Sequence, residues 1–272
     1  MTRFKAEHLR TAILNMAYAG ATVHVGCAFS IVELLAVLYR NHLRVDPANP
    51  DAPARDYLVL SKGHGVMAQY ACLNELGWLT DEDLACYFQN GTRLKGLADA
   101  HIPGVEATTG SLGHGMSVAA GLALAAKLNK TDQVCYVLVG DGELNEGPIW
   151  EAALFANHFK LDNLVVLIDK NGFQAMGPTD EVMALGNIED KFRAFGFDAV
   201  TIDGHDEAAI DEAYTQSRAT RNGKPKAIVA RTTKGKGVSF MENDNIWHYT
   251  RLTPETHAAA LAELANPEQV PS

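Results

Sequence analysis

The sequence predicts an α/β fold, an open and mostly parallel sheet with helices on both faces. Three observations carry this. Residues 134–139 and 164–168 are short, unbroken runs of apolar and β-branched residues, the pattern of strands buried on both faces. Between them Pro148 stands where a helix start tolerates proline, and Ile149, Ala152, Ala153, Ala156 and Phe159 recur at helical spacing. Helix and strand patterns then alternate again, with strands at 198–203 and 227–231. A βαβ unit crosses over right-handed, so Gly140-Asp141-Gly142 and Asp169-Lys170-Asn171-Gly172 emerge at the same carboxyl edge of the sheet. Open α/β sheets bind ligands at that edge.

A chain of 272 residues with 47% hydrophobic content buries a sizeable core. We read residues 1–265 as one domain and 266–272 as a disordered tail. The net charge of −10 argues against a nucleic-acid partner, which would meet a basic face. Cys27, Cys72, Cys86 and Cys135 form no CxxC pair and read as reduced thiols of a cytoplasmic protein. The first 20 residues form an amphipathic helix with interspersed charges, unlike a signal peptide. No stretch reaches membrane-spanning length without charges, so no membrane partner is expected.

In chain order, residues 3–19 form the first helix and 21–30 a turn carrying His24, which suits a structural role as well as a catalytic one. Ser30 and Glu33 have the spacing of a capping box for the next helix. The segment 45–55, with Pro47, Pro50 and Pro53, is a surface loop. A strand at 56–61 ends in Lys62-Gly63-His64-Gly65, where His64 can donate a hydrogen bond to a phosphate. Thr80 is an N-cap with Asp83 at the third position of a helix within residues 80–89. Residues 107–115 are rich in small side chains and lead into a helix whose N-terminus suits an anion or a polar ring. His114 there is either a surface residue or a substrate contact. Lys234 and Lys236 lie in a polar loop at 232–237, either pairing with phosphate or simply solvated.

Asp141 and Asn171 are 30 residues apart in sequence but adjacent at the sheet edge. One carboxylate, one amide oxygen and a nearby main-chain carbonyl make a hard-oxygen site. Magnesium takes few protein ligands and completes its octahedron with phosphate oxygens and water. Gly140 and Gly142 let the backbone approach a phosphate closely. Alone, Gly-Asp-Gly fits an ordinary turn with Asp141 capping a helix. The full arrangement is G-D-G-x-x-x-E-G, a helix, and a strand ending in D-x-N-G, and it points to a diphosphate held through a divalent ion.

That arrangement resembles the thiamine-diphosphate motif of the transketolase family, and the resemblance runs from about residue 5 to 255. It implies the diphosphate-binding type of thiamine-diphosphate fold. Asp141, Asn171 and the carbonyl of Phe173 would then ligate Mg2+, or another divalent cation such as Ca2+ or Mn2+. It places Gly142 against the diphosphate and Glu146 near a subunit interface. The stretch DYLVLSKGHG puts His64 at the diphosphate, as NIWH does His248. The stretch GSLGHG brings Gly110 and the backbone of Leu112 to the aminopyrimidine, and H-x-G-x-x-x-S sets His24 in the substrate channel. One position departs from the family. Many transketolases have Gly-His-Pro where this chain has Gly96-Leu97-Ala98, and that histidine contacts the donor sugar. His101, four residues on, is expected to replace it through a shifted loop, giving His24, His101 and His248 as catalytic groups.

The resemblance covers the first of the three domains of a full-length transketolase. It implies the N-terminal subunit of a split transketolase, working with a second subunit that holds the pyrimidine-binding and C-terminal domains, two copies of each. The complex would transfer a two-carbon ketol unit from a ketose phosphate to an aldose phosphate using thiamine diphosphate. The arginines that select the substrate phosphate lie, in the family, on the domains beyond this chain. A deoxyxylulose-phosphate-synthase-like or 2-oxoacid-decarboxylating subunit is a second reading, which TTGSLGHG and SKGHG disfavour. A non-catalytic cofactor-binding protein is a third.

Overall fold

The computed structural model describes residues 3–266. They contain strands β1 (Tyr57–Leu60), β2 (Cys135–Gly140), β3 (Leu164–Lys170), β4 (Phe173–Gln174), β5 (Gly177–Pro178), β6 (Asp198–Asp203) and β7 (Lys226–Arg231). Five of these pair in the order β1-β2-β3-β7-β6, and every pair is parallel. The antiparallel pair β4-β5 is a separate small hairpin. The helices are α1 (Ala6–Ala19), α2 (Val25–Phe29), α3 (Val32–Val37), α4 (Val66–Leu76), α5 (Asp81–Ala85) and α6 (Gly115–Leu128). They continue as α7 (Gly147–His158), α8 (Thr179–Met183), α9 (Ile188–Ala194), α10 (Glu207–Ala219) and α11 (Pro254–Ala265).

The unbroken apolar runs are explained by two cores. Along β3, Val165 and Leu167 face one core, while Leu164, Val166 and Ile168 face the other. The first core packs Leu9 and Ile13 of α1, Leu34 and Leu35 of α3, Leu73 of α4 and Tyr214 of α10 against the sheet. The second packs Ala119 and Ala123 of α6, Ala153 and Ala156 of α7 and Phe192 of α9 against the opposite face. Both faces are therefore covered, as an all-parallel sheet requires.

Local capping signals met two different fates. Thr80 and Asp83 form the expected box, with Thr80 Oγ1 accepting from the Asp83 N–H at 3.1 Å and Asp83 Oδ2 accepting from the Thr80 N–H at 2.8 Å. Their helix is short, and Phe88 beyond it takes a left-handed φ of +57°. Ser30 and Glu33 form no such box, which corrects the sequence reading. Both are buried, and their polar atoms tie distant segments instead. Ser30 Oγ donates to Asp169, and the Glu33 carboxylate accepts from Arg10 and His205. Interior demand overrides a local cap. The helix continues past α3 as a π-turn, Leu38–His42. From it Asn41 and His42 both reach Asp211 of α10, at 2.7 and 2.8 Å. The tail expected to be disordered lies outside the described residues except for Asn266, the C-cap of α11.

Asp56, fully buried before β1, knits three segments. It accepts from the Arg44 N–H at 3.0 Å, the Val134 N–H at 2.8 Å and Arg218 Nη1 at 2.7 Å. Asp56→Ala leaves two amides and the half-buried Arg218 guanidinium without their acceptor. We expect a loss of about 2–3 kcal/mol, measured by denaturant unfolding. Glu33 makes a pH prediction. Burial alone would raise its carboxyl, but His205 and Arg10 outweigh that and hold it at about 2. A depressed folded value gives stabilisation that is complete above the ordinary value near 4.5 and is lost as pH falls toward 2. Unfolding titrations between pH 2 and 6 should therefore show a steeper stability loss in the parent chain than in Glu33→Gln. The difference should be about 3 kcal/mol across that window.

Candidate active site

The segments that follow β1, β2, β3 and β7 in the chain converge on one cleft of 570 Å³. His24, His64, Gly110, Leu112 and His248 line it, as do Gly140, Asp141, Gly142, Glu146, Asn171 and Phe173. Gly110 adopts φ +143°, and a Cβ there would sit 2.7 Å from Leu97 Cδ1, so only glycine fits. A groove of 420 Å³ along β6 and α10 brings none of these groups together.

Behind the cleft sits Asp169, at the end of β3 and wholly buried. It accepts from Ser30 Oγ and Asn171 Nδ2, both at 2.8 Å, and from Lys62 Nζ and Thr232 Oγ1. Four chain segments are thereby joined on one carboxylate. Burial works against the Asp169 charge, but the Lys62 ammonium overrides it and keeps the carboxyl low. Lys62 also donates to the Cys27 carbonyl at 3.0 Å. With its NH2 committed to Asp169, Asn171 keeps Oδ1 as an acceptor, and that oxygen takes the Phe173 N–H at 3.0 Å.

Asp141 is nearly buried and has no cationic side chain bonded to it among the described residues. Its oxygens accept only the Gly142 and Gly172 N–H groups, at 2.8 and 2.7 Å, and Thr179 Oγ1 at 3.4 Å. Burial, and then the nearby Asp169 charge, push the Asp141 carboxyl up to about 6. A buried carboxylate lacking a counter-charge, beside an amide oxygen locked in place, is a donor set suited to a hard divalent cation. Among the described residues no group of three or more His, Cys, Asp and Glu side chains is placed to hold a metal. The remaining donors at this set would be phosphate oxygens and water. Glu143, adjacent, takes the Gly113 N–H at 2.8 Å and the Gly140 N–H at 3.1 Å, tying the small-residue loop to β2.

Opposite this set stand three imidazoles. The ring centroids lie 5.3 Å apart for His24 and His64, 5.1 Å for His24 and His248, and 5.7 Å for His64 and His248. Burial lowers all three, with help from Lys234 and Lys62, and His248 falls to about 3. They are neutral at pH 7. Lys234 Nζ lies 2.9 Å from His248 Nδ1 and donates to it, which assigns the imidazole proton to Nε2. Lys234 is itself lowered by burial and donates to Asn245 Oδ1 at 2.8 Å.

Two of the candidate histidines, His101 and His114, stay out of the cleft. His101 lies on the outer surface with its side chain 92% exposed, bonded to Asp99. It does not move into the place left by Leu97, which itself lines the cleft, so the expected loop shift is corrected. His114 caps α6 and is exposed. The sequence reading missed Lys62, Asp169, Glu143 and the burial of Lys234. A signal was available for the first two, because charged residues at the carboxyl ends of apolar strands must be paired. Lys236 instead pairs with Glu242 at 3.2 Å.

Residues 4–267 match the family described as transketolase, thiamine diphosphate binding domain. The chain is 40% identical over 261 residues to an apulose-4-phosphate transketolase subunit of Phocaeicola vulgatus, covering 96% of this chain and 92% of that one. It is 45% identical over 242 residues to the 6-deoxy-6-sulfo-D-fructose transketolase subunit SqwG of a Clostridium species, covering 89% and 88%. Among solved structures, transketolase from Campylobacter jejuni aligns with a TM-score of 0.90 at 32% identity, over 96% of this chain and 42% of that one. Transketolase from Leishmania mexicana aligns at 0.88 and 33%, over 97% and 41%. The chain thus spans about two fifths of those two transketolases. With its sheet order, its cleft and its motif residues in these positions, the chain belongs to the transketolase family, as its diphosphate-binding N-terminal part.

Proposed function

We propose that this chain is the N-terminal subunit of a two-subunit transketolase, moving a two-carbon ketol unit from a ketose phosphate to an aldose phosphate. The observation that carries the reading is the meeting, on one cleft, of hard-oxygen donors with three neutral imidazoles. Two similar proteins are themselves named as transketolase subunits, which supports a partner chain. Exposed apolar side chains suit one as well: Leu154 on α7, and Met176 and Met183 beside the cleft. We take the assembly as two copies of each chain, in the cytoplasm, and residues 1–265 as one working unit. Among the described residues no helix is long and apolar enough to cross a membrane.

Thiamine diphosphate, when bound, supplies an electron sink for cleaving and forming the carbon–carbon bond. The chain's own residues do the rest. Asp141, Asn171 and the Phe173 carbonyl hold Mg2+, for which Ca2+ or Mn2+ can substitute. His64 and the backbone at Gly140 and Gly142 meet the diphosphate, and Gly110 and Leu112 face the aminopyrimidine. Glu146, exposed at the rim of the cleft, faces the interface. His24 and His248 handle protons at the reacting oxygens. Held neutral, they can both give and accept one.

Titration calorimetry of thiamine diphosphate with Mg2+ tests the reading. Binding should be weak to this chain alone and tight once the second subunit is added. Absence of binding in both would remove it. Asp141→Ala should weaken metal-dependent cofactor binding by about a hundredfold. Unchanged affinity would mean that Asp141 serves the fold and not the metal.

A further inference from the structure

Leu97 lines the cleft. A second groove of 480 Å³ begins there and shares His24 and Leu97 with the cleft. Its walls are mostly apolar, built from Val23, Tyr87, Phe88 and Leu97. Two cations, Lys95 and Arg251, also line it, and no acidic residue does. That is unusual in a chain whose acidic residues outnumber its basic ones by 33 to 23. Arg10, Arg44, Arg55 and Arg218 are each paired with a carboxylate. Arg251 is exposed and has no such partner among the described residues. Lys95 donates only to the Thr92 carbonyl, at 2.8 Å.

Backbone strain gathers on the same groove. Seven non-glycine residues among those described have a positive φ, and three of them line it: Ala21 at +45°, His24 at +73° and Phe88 at +57°. Strain of this kind persists where the surrounding structure fixes it, often at ligand clamps. The Phe88 ring is 52% exposed and lies against Gly96, where an added Cβ would meet its Cε2 at 3.0 Å. An apolar wall with unpaired cations fits a ligand that has a carbon chain at one end of its length and an anion at the other.

We propose that this groove seats the distal end of the sugar substrate, its carbon chain against Leu97 and Phe88 and its terminal phosphate or sulfonate on Arg251 and Lys95. The proposal rests on the ketol-transfer reading. It adds an anion anchor on this chain to the arginines expected on the partner. The reacting end lies by His24, which both cavities share, and the oxyanion lies beyond Leu97. A leucine there offers no hydrogen bond to a hydroxyl and favours the C–H face of the sugar.

The test uses the complex with its second subunit, and the donor is uncharged L-erythrulose. Acceptors are erythrose 4-phosphate and its uncharged counterpart D-erythrose, compared in the parent and in Arg251→Ala/Lys95→Ala. The ratio of kcat/KM for erythrose 4-phosphate to that for D-erythrose should fall tenfold or more in the double variant. A ratio within twofold of the parent's overturns the anchor and leaves the ketol-transfer reading standing. If neither acceptor reacts, that reading falls, and calorimetry of erythrose 4-phosphate with the complex decides the anchor. Binding that is lost in the double variant keeps it, while equal binding, or none in the parent, removes it. Competition by glycerol 3-phosphate and by 3-hydroxypropane-1-sulfonate then separates phosphate from sulfonate. The anchor predicts that at least one competes with erythrose 4-phosphate in the parent and does so tenfold more weakly in the variant, and competition unaffected by the substitutions overturns it.

Discussion

The Asp169 carboxylate is the point on which the site depends. Among the described residues it alone touches the segments leaving β1, β3 and β7 together with the α2–α3 junction, through Lys62, Asn171, Thr232 and Ser30. A buried carboxylate with several donors is stable only when all of them are in place. The same contacts therefore set the loops and the ligands. Asn171 cannot flip its amide without breaking the bond to Asp169, so its oxygen is fixed before any metal arrives. Lys62 is held by Asp169 and in turn holds the Cys27 carbonyl, which settles α2 next to the cleft.

Around this hub the electrostatics are unbalanced. Asp169 has its cation and is held low, while Asp141, close by, has none and is pushed up to about 6. Lys234, with His248 and Asn245 as neutral partners, is pushed down. A fold selected for stability alone would pair such groups. Leaving a carboxylate short of positive charge on a cleft, and a buried lysine short of negative charge behind it, costs stability. A bound cation and a bound anion would relieve both at once.

Much of this was legible in the sequence, and the limits have physical causes. Strands buried on both faces announce themselves, so the centres of β2 and β3 were read almost to the residue, and the half-exposed edge strand at 198–203 was read from its alternation with the helices around it. The turns at the strand ends follow from right-handed crossover, and Asp141, Asn171 and His64, read from such turns, all line one cleft. Capping was read from local spacing. That held at exposed Thr80 and failed at Ser30, where burial recruited the hydroxyl for Asp169. His101 failed for a related reason. Four residues of loop do not determine direction, and here the chain turns outward so that the ring bonds Asp99. The Lys62–Asp169 pair was not read because each partner looks like an ordinary turn residue until the sheet order makes β1 and β3 flank β2.

The net charge of −10 and an anionic ligand are compatible because the cleft does not use net charge. Its imidazoles are neutral, and Lys62 is already matched by Asp169. Attraction for a diphosphate would have to come from oriented N–H groups, the unmatched lysine and a metal on Asp141, all within a few ångströms of the ligand. Fields of that range are barely screened by salt, whereas distant surface carboxylates are screened over about 8–10 Å. The same logic applies to the groove beyond Leu97, where the absence of acidic residues counts for more than the chain's overall balance. Charge placed locally and shielded from its surroundings lets an acidic protein hold an acidic ligand.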